Sequence, residues 1–193
     1  MHANTIILAL GANLPGRWGT PREALRRACR ELAQAGLHLA CASRIYATTP
    51  LGPGRQAPYL NAVVVLEAHA APGTMLRLVK QIERRAGRRP GSRWGPRCLD
   101  IDVVDHGGRR IGWPSRRRIP GRLVLPHPEI QRRAFVLVPL LEVMPGWRHP
   151  VLRILGRTLL ARLGAKERAN VRPTLDFVYP ACDKQSTLSA LRN

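Results

Sequence analysis

Apolar and polar positions alternate with two different periods along the first hundred residues, and each change of period marks a new element. Thr5 to Leu10 is a β-rich apolar run that stops at Gly11-Ala12-Asn13, the pattern of a buried strand followed by a turn. Thr20-Pro21-Arg22-Glu23 then supplies an N-cap, a proline for the first helical position and the capping-box glutamate. Leu25, Ala28, Cys29 and Leu32 follow on one helical face, and Gly36 is the stop. Period two returns at Leu37, Leu39, Cys41, Ser43 and Ile45, which predicts a second strand. Thr48 to Pro58, rich in proline and glycine, predicts a loop. Tyr59 to Glu67 reads as a third strand with Tyr59, Asn61, Val63 and Val65 on one face. Pro72-Gly73-Thr74 opens a helix with Met75, Leu78, Val79, Ile82 and Ala86 inward, closed by Gly87. The basic loop Arg88 to Arg97 leads into a strand over Cys98 to Val104.

The order β-α-β-β-α-β predicts a ferredoxin-like α+β sandwich, an antiparallel sheet with helices packed on it. After it come a Gly/Arg-rich ribbon from Asp105 to Leu125, the segment Pro126 to Pro145, and an amphipathic helix with Leu152, Leu155, Leu159 and Leu163. From Lys166 no period is sustained, so residues 1–165 are read as one domain and 166–193 as a peripheral tail. A chain of 193 residues can build one sizeable core, and 45% apolar against 23% charged residues argues against disorder. No run approaches the roughly 18 apolar residues of a membrane helix. No Lys or Arg precedes the short apolar stretch Ile6 to Leu10, so a secretory signal is not expected and the chain is read as cytoplasmic. Cys29, Cys41, Cys98 and Cys182 share no close pair, and packing roles are expected for them.

The charge changes the picture. Against 12 acids stand 32 bases, a formal net charge of +20, and arginine outnumbers lysine 29 to 3. Arginine's planar fork suits phosphate, although such a skew arises equally from codon bias; the charge admits a nucleic acid or a small polyphosphate as partner and does not choose between them. Within this basic chain Asp100, Asp102 and Asp105 fall close together. On a strand, Asp100 and Asp102 share the face opposite Leu99, Ile101 and Val103, with Cα atoms about 7 Å apart. Two such carboxylates suit a pair of divalent cations bridging a polyphosphate; a solvated face paired with arginines is the alternative. Arg88, Arg89, Arg93 and Arg97 precede the acids, and Arg122, His127, Arg132 and Arg133 follow them. Oxygens for a cation among guanidinium forks for phosphates are what a magnesium polyphosphate complex requires. No Walker sequence is present. Tyr59 beside Asn61 pairs a ring for stacking with an amide that can read a heterocycle, although two residues alone fit a strand edge with a half-buried tyrosine better; Trp94 sits in a Gly/Pro/Arg loop where a large aromatic can cover a ligand.

Arg93-Trp94-Gly95-Pro96-Arg97-Cys98-Leu99-Asp100-Ile101-Asp102 resembles the signature of the 6-hydroxymethyl-7,8-dihydropterin pyrophosphokinase family. Leu8 to Leu14, Pro50-Leu51-Gly52-Pro53 with Tyr59 to Ala62, Leu125 to Pro128, and Arg133-Ala134-Phe135 are similar to further family segments in the same order. The resemblance implies transfer of pyrophosphate from ATP to a dihydropterin alcohol, a step of folate synthesis. It also implies two Mg2+ on Asp100 and Asp102, with Asp102 placed as a proton acceptor, and phosphate-holding, catalytic roles for Arg88 and Arg97. Trp94, Arg122, His127 and Arg133 would contact the nucleotide, and Thr48, Leu51, Tyr59, Asn61, Trp94 and Phe135 the pterin. ATP and dihydropterin are then the partners, no membrane is involved, nucleic acid binds nonspecifically at most, and a monomer is expected. Pro90 stands where the family commonly has a second loop arginine, and the basic segment 105–120 is long. A paralogue acting on a modified pterin, and one that binds nucleotide without turnover, are the variants this admits. A basic RNA-binding module, suggested by the charge and by Arg116-Arg117-Arg118, is the alternative from another class. Against it, only Tyr59 in the third strand is placed to stack a base.

Overall fold

A computed structural model of the chain describes residues 4–49, 57–88, 97–113 and 123–178. In order these form β1 (Asn4–Ala12), α1 (Pro21–Gln34), β2 (His38–Ala42), β3 (Arg44–Thr48), β4 (Tyr59–Ala68), α2 (Pro72–Arg85) and β5 (Asp100–His106). A 3-10 turn at Ile130–Arg132 precedes α3 (Ala134–Val143), α4 (Gly156–Ala161), α5 (Ala165–Ala169) and β6 (Val171–Phe177). The strands make one sheet in the order β5-β1-β4-β3-β6, with β2 also on β4, and every pairing is antiparallel. The βαββαβ core expected from the sequence is present, with its second strand split at Ser43. The Ser43 hydroxyl accepts the Val63 N–H (2.9 Å) and donates to the Arg44 carbonyl (2.8 Å), standing in for ladder partners where the strand breaks.

Local signals account for α1. Thr20 and Glu23 cap each other reciprocally, Pro21 opens the first turn, and Gly36 leaves in the left-handed region at φ +80°. Leu25, Ala28, Cys29 and Leu32 are buried with Leu8, Leu66 and Ile101 of the sheet and Met75, Val79 and Ile82 of α2, so both helices cover one face. The other face, carrying Ile7, Val63, Val65 and Val104, lies under Val136, Leu137 and Leu140 of α3 together with Trp147. Sheet residues therefore alternate between two dry layers rather than between core and water.

Three expectations are corrected. The helix through Leu152 to Leu163 begins only at Gly156, because the buried His149 Nδ1 accepts the Val151 and Leu152 N–H groups (3.2 and 3.1 Å) and Arg153 turns through φ 58°. The segment after Lys166 is not peripheral throughout: β6 pairs with β3, and Val178 is 2% exposed. Its strand has no readable period because Pro173 interrupts it and its partner lies more than a hundred positions away. Finally, Cys41 is disulfide-bonded, whereas Cys29 and Cys98 are free thiols; spacing along the chain carries no information about such a bond. Among the described residues no helix is long and apolar enough to cross a membrane.

Candidate active site

β5 delivers two carboxylates to one face. Leu99, Ile101 and Val103 bury their side chains toward α1 and α2, and the alternation sends Asp100 and Asp102 out on the α3 side, 24% and 28% exposed. Each is compensated by arginine. Arg88 donates to Asp100 Oδ1 and Arg97 to Asp100 Oδ2 (2.6 Å), so both described ends of the basic loop converge on one carboxylate. Arg133 donates to Asp102 Oδ2 at 2.9 Å, and His127 Nε2 lies 3.7 Å from the same oxygen. The Glu129 N–H approaches His127 Nδ1 at 3.2 Å, which leaves the ring with Nε2 facing the acid. Burial pushes the Asp102 carboxyl up, but His127, Arg133 and Lys80 together bring it below the ordinary carboxylate value.

Register places the rest. Across the sheet Asp100 stands opposite Gly11, Gly11 opposite Asn61, and Asn61 opposite Tyr46, a row running through β5, β1, β4 and β3. With strands spaced about 4.8 Å apart, the carboxylate and the amide are separated by roughly 10 Å of floor whose middle position is a glycine. A Cβ on Gly11 would stand 3.4 Å from Asn61 Oδ1. The Asn61 amide donates to the Thr48 hydroxyl (2.9 Å), which fixes its rotamer and turns Oδ1 toward Gly11. Tyr59 sits opposite Thr48, half buried, and burial raises its phenol pKa, with Arg97 and Asp100 close enough to act on it. Phe135, in the first turn of α3, packs against the cluster of Tyr46, Ala134 and Val171, with the Arg133 guanidinium 5.7 Å from its ring centre.

Thr48, Tyr59, Asn61, Arg88, Arg97, Asp100, Asp102, His127, Arg133 and Phe135 are thus on one side of the sheet or at its rim. Leu51, Trp94 and Arg122, also expected at the site, lie outside the described residues. Asp105 belongs to the fold instead: its carboxylate accepts Trp147 Nε1–H and Gly108 N–H, both at 2.9 Å.

Two residues that the sequence did not single out hold the site together. Asn13, 2% exposed, accepts the Arg97 N–H (2.8 Å), donates its amide to the Ala57 carbonyl (3.3 Å), and donates its own backbone N–H to Arg97 O (2.9 Å). Glu83, also 2% exposed, accepts the Ile101 N–H between the two aspartates (2.8 Å), Lys80 (2.9 Å) and Arg88. Burial raises the Glu83 pKa in spite of these partners. Asn13 stands in the opening motif and Glu83 at a buried helical position, but the contacts that give them meaning span 84 and 18 positions.

The profile of the 7,8-dihydro-6-hydroxymethylpterin-pyrophosphokinase family matches residues 7–145. The chain belongs to this family. It is 36% identical over 157 residues to the 2-amino-4-hydroxy-6-hydroxymethyldihydropteridine pyrophosphokinase of Pseudomonas aeruginosa, a span covering 81% of this chain and 90% of that protein. To the protein of that name in Mycobacterium tuberculosis it is 35% identical over 187 residues, 89% of this chain and 92% of the other. Among solved structures, wild-type HPPK-DHPS of Plasmodium falciparum superposes with a TM-score of 0.62 at 15% identity, covering 83% of this chain and 44% of that one. This chain spans less than half of that protein, and the likeness is one of fold. The family profile itself ends at residue 145, before α4, α5 and β6.

Proposed function

We propose that the two ends of the row Asp100–Gly11–Asn61 divide the pyrophosphokinase reaction between them. The chain is an ATP-dependent pyrophosphokinase of folate synthesis: the hydroxymethyl oxygen of 6-hydroxymethyl-7,8-dihydropterin attacks the β-phosphorus of ATP and AMP leaves. Asp100 and Asp102 would hold the magnesium. Two half-exposed carboxylates on one strand face suit an ion that keeps waters and takes phosphate oxygens, and among the described residues no cluster of three or more His, Cys, Asp or Glu offers a closed cage. Bound there, magnesium supplies neutralisation of phosphate charge.

The chain's own residues do the rest. Arg88, Arg97 and Arg133 pair with the aspartates and are at hand for phosphate oxygens once those carboxylates have another cation. His127 adds an N–H donor at the same edge. Asp102 is also the residue placed to take the proton that the hydroxymethyl group gives up as its oxygen attacks. Asn61 presents Oδ1 to the pterin edge, Thr48 holds Asn61, and Tyr59 and Phe135 supply rings; alignment across the glycine floor is the main catalytic contribution. That row of registered residues is the observation that carries the reading. Its test is calorimetric titration with magnesium and a non-hydrolysable ATP analogue, followed by the pterin. Tyr59→Ala and Phe135→Ala should weaken the pterin by roughly 5- to 150-fold, the worth of one stacked ring, and spare the nucleotide. Equal losses for both ligands would refute the division. Chelating the magnesium should weaken the nucleotide far more than any pterin-side substitution does.

A further inference from the structure

We propose that the C-terminal strand is a wall of the acceptor site and that Asn170 is the residue that positions it. The inference rests on the acceptor pocket just described. Asn170 Oδ1 accepts the Thr49 N–H and Asn170 Nδ2 donates to the Thr49 carbonyl, both at 3.1 Å. One side-chain amide thus satisfies both backbone groups of the residue that follows Thr48. An amide carries a donor and an acceptor side by side, so it pairs with a peptide unit as a neighbouring strand would. The pairing continues directly: Val171 stands opposite Thr48, Arg172 opposite Ala47, and the Thr174 hydroxyl donates to the Ile45 carbonyl (2.9 Å). The end of β3 is therefore held on both sides, by β4 and by β6. Without β6 it would be an open sheet edge.

What this end of β3 carries makes the clamp functional. The Thr48 hydroxyl accepts the Asn61 amide, so displacing Thr48 releases the rotamer that aims Asn61 Oδ1 at the floor of the site. A second contact reaches the aromatic side independently. Val171, 8% exposed, is buried with Tyr46 and Ala134 in the cluster against which Phe135 packs. Asn170 and Val171 thereby brace the hydrogen-bonding and the stacking halves of the pocket from beyond residue 145, where the family profile ends. The carboxylate and arginine cluster is carried by β5 at the opposite edge of the sheet, with β1 and β4 between it and β3.

The test is steady-state kinetics of the full chain carrying Asn170→Ala, with Arg172→Ala, an exposed side chain on the same strand, as the control. Losing one to two hydrogen bonds should raise KM for the dihydropterin roughly 5- to 30-fold. KM for ATP and kcat at saturation should move by less than about twofold, and Arg172→Ala should match the parent. A merely structural role predicts instead equal losses on both substrates that follow a fall in melting temperature, and that result overturns the proposal. Thr48→Val, measured in parallel, separates it from the pocket assignment. If Thr48→Val raises the pterin KM and Asn170→Ala does not, the wall is refuted and the pocket stands; if neither does, both are refuted.

Discussion

Between Asp100 and Asn61 the floor of the site is Gly11, and the missing side chain leaves room for two substrates to meet. Gly11→Val would drive two methyl groups against Asn61 Oδ1 on a face that must stay clear. The expected result is a folded protein whose pterin affinity falls by about tenfold or more, measured by calorimetry, with nucleotide affinity little changed. Asp100→Asn and Asp102→Asn test the other half of the row. Each should lower kcat by about a hundredfold or more, since one ligand to a charge-neutralising cation is lost, while circular dichroism remains that of the parent. Away from the site, burial depresses the His149 pKa, only partly offset by Asp105. A folded-state pKa below the unfolded one means that His149 contributes stability above pH 6.5, which is lost as pH falls through the folded value. Melting temperature should therefore drop on acidification from pH 7 to 5, and less steeply in His149→Asn.

At the scale of elements, what could be read from the sequence was whatever is decided within a few residues. The Thr20–Glu23 box, the Pro21 start and the left-handed Gly36 define α1 without reference to the rest of the fold. Thr20→Ala should cost about 1 kcal/mol in denaturant unfolding and leave catalysis untouched. Period two likewise placed Asp100 with Asp102 and Tyr59 with Asn61 on their faces. What escaped was settled by side chains reaching over long distances. The His149 ring takes the N–H groups of Val151 and Leu152, so leucines at helical spacing open into a turn. Asn13 meets Arg97, and Asn170 meets Thr49, across gaps that no local pattern encodes. The site was legible as a list of residues; its order across the sheet needed the register of β1 with both neighbours.

For the molecule as a whole, the +20 charge is distributed unevenly in its purpose. Arginines at the site have carboxylate partners, as Arg88, Arg97 and Arg133 show. Arg116-Arg117-Arg118, outside the described residues, tests the remainder: changing all three to Gln should lower salt-sensitive polyanion binding and leave the pyrophosphokinase kinetics nearly unchanged. The sheet's layering has a consequence in time as well as in space. β4 is hydrogen-bonded to β1 on one side and to β2 and β3 on the other, with Val63 to Leu66 almost wholly buried. Its amides should exchange with deuterium only when the whole chain unfolds, whereas β6, bonded along β3 alone, can exchange by peeling off. The gap between the two opening free energies would then give how often, in an otherwise folded molecule, Thr48 and Phe135 lose their backing.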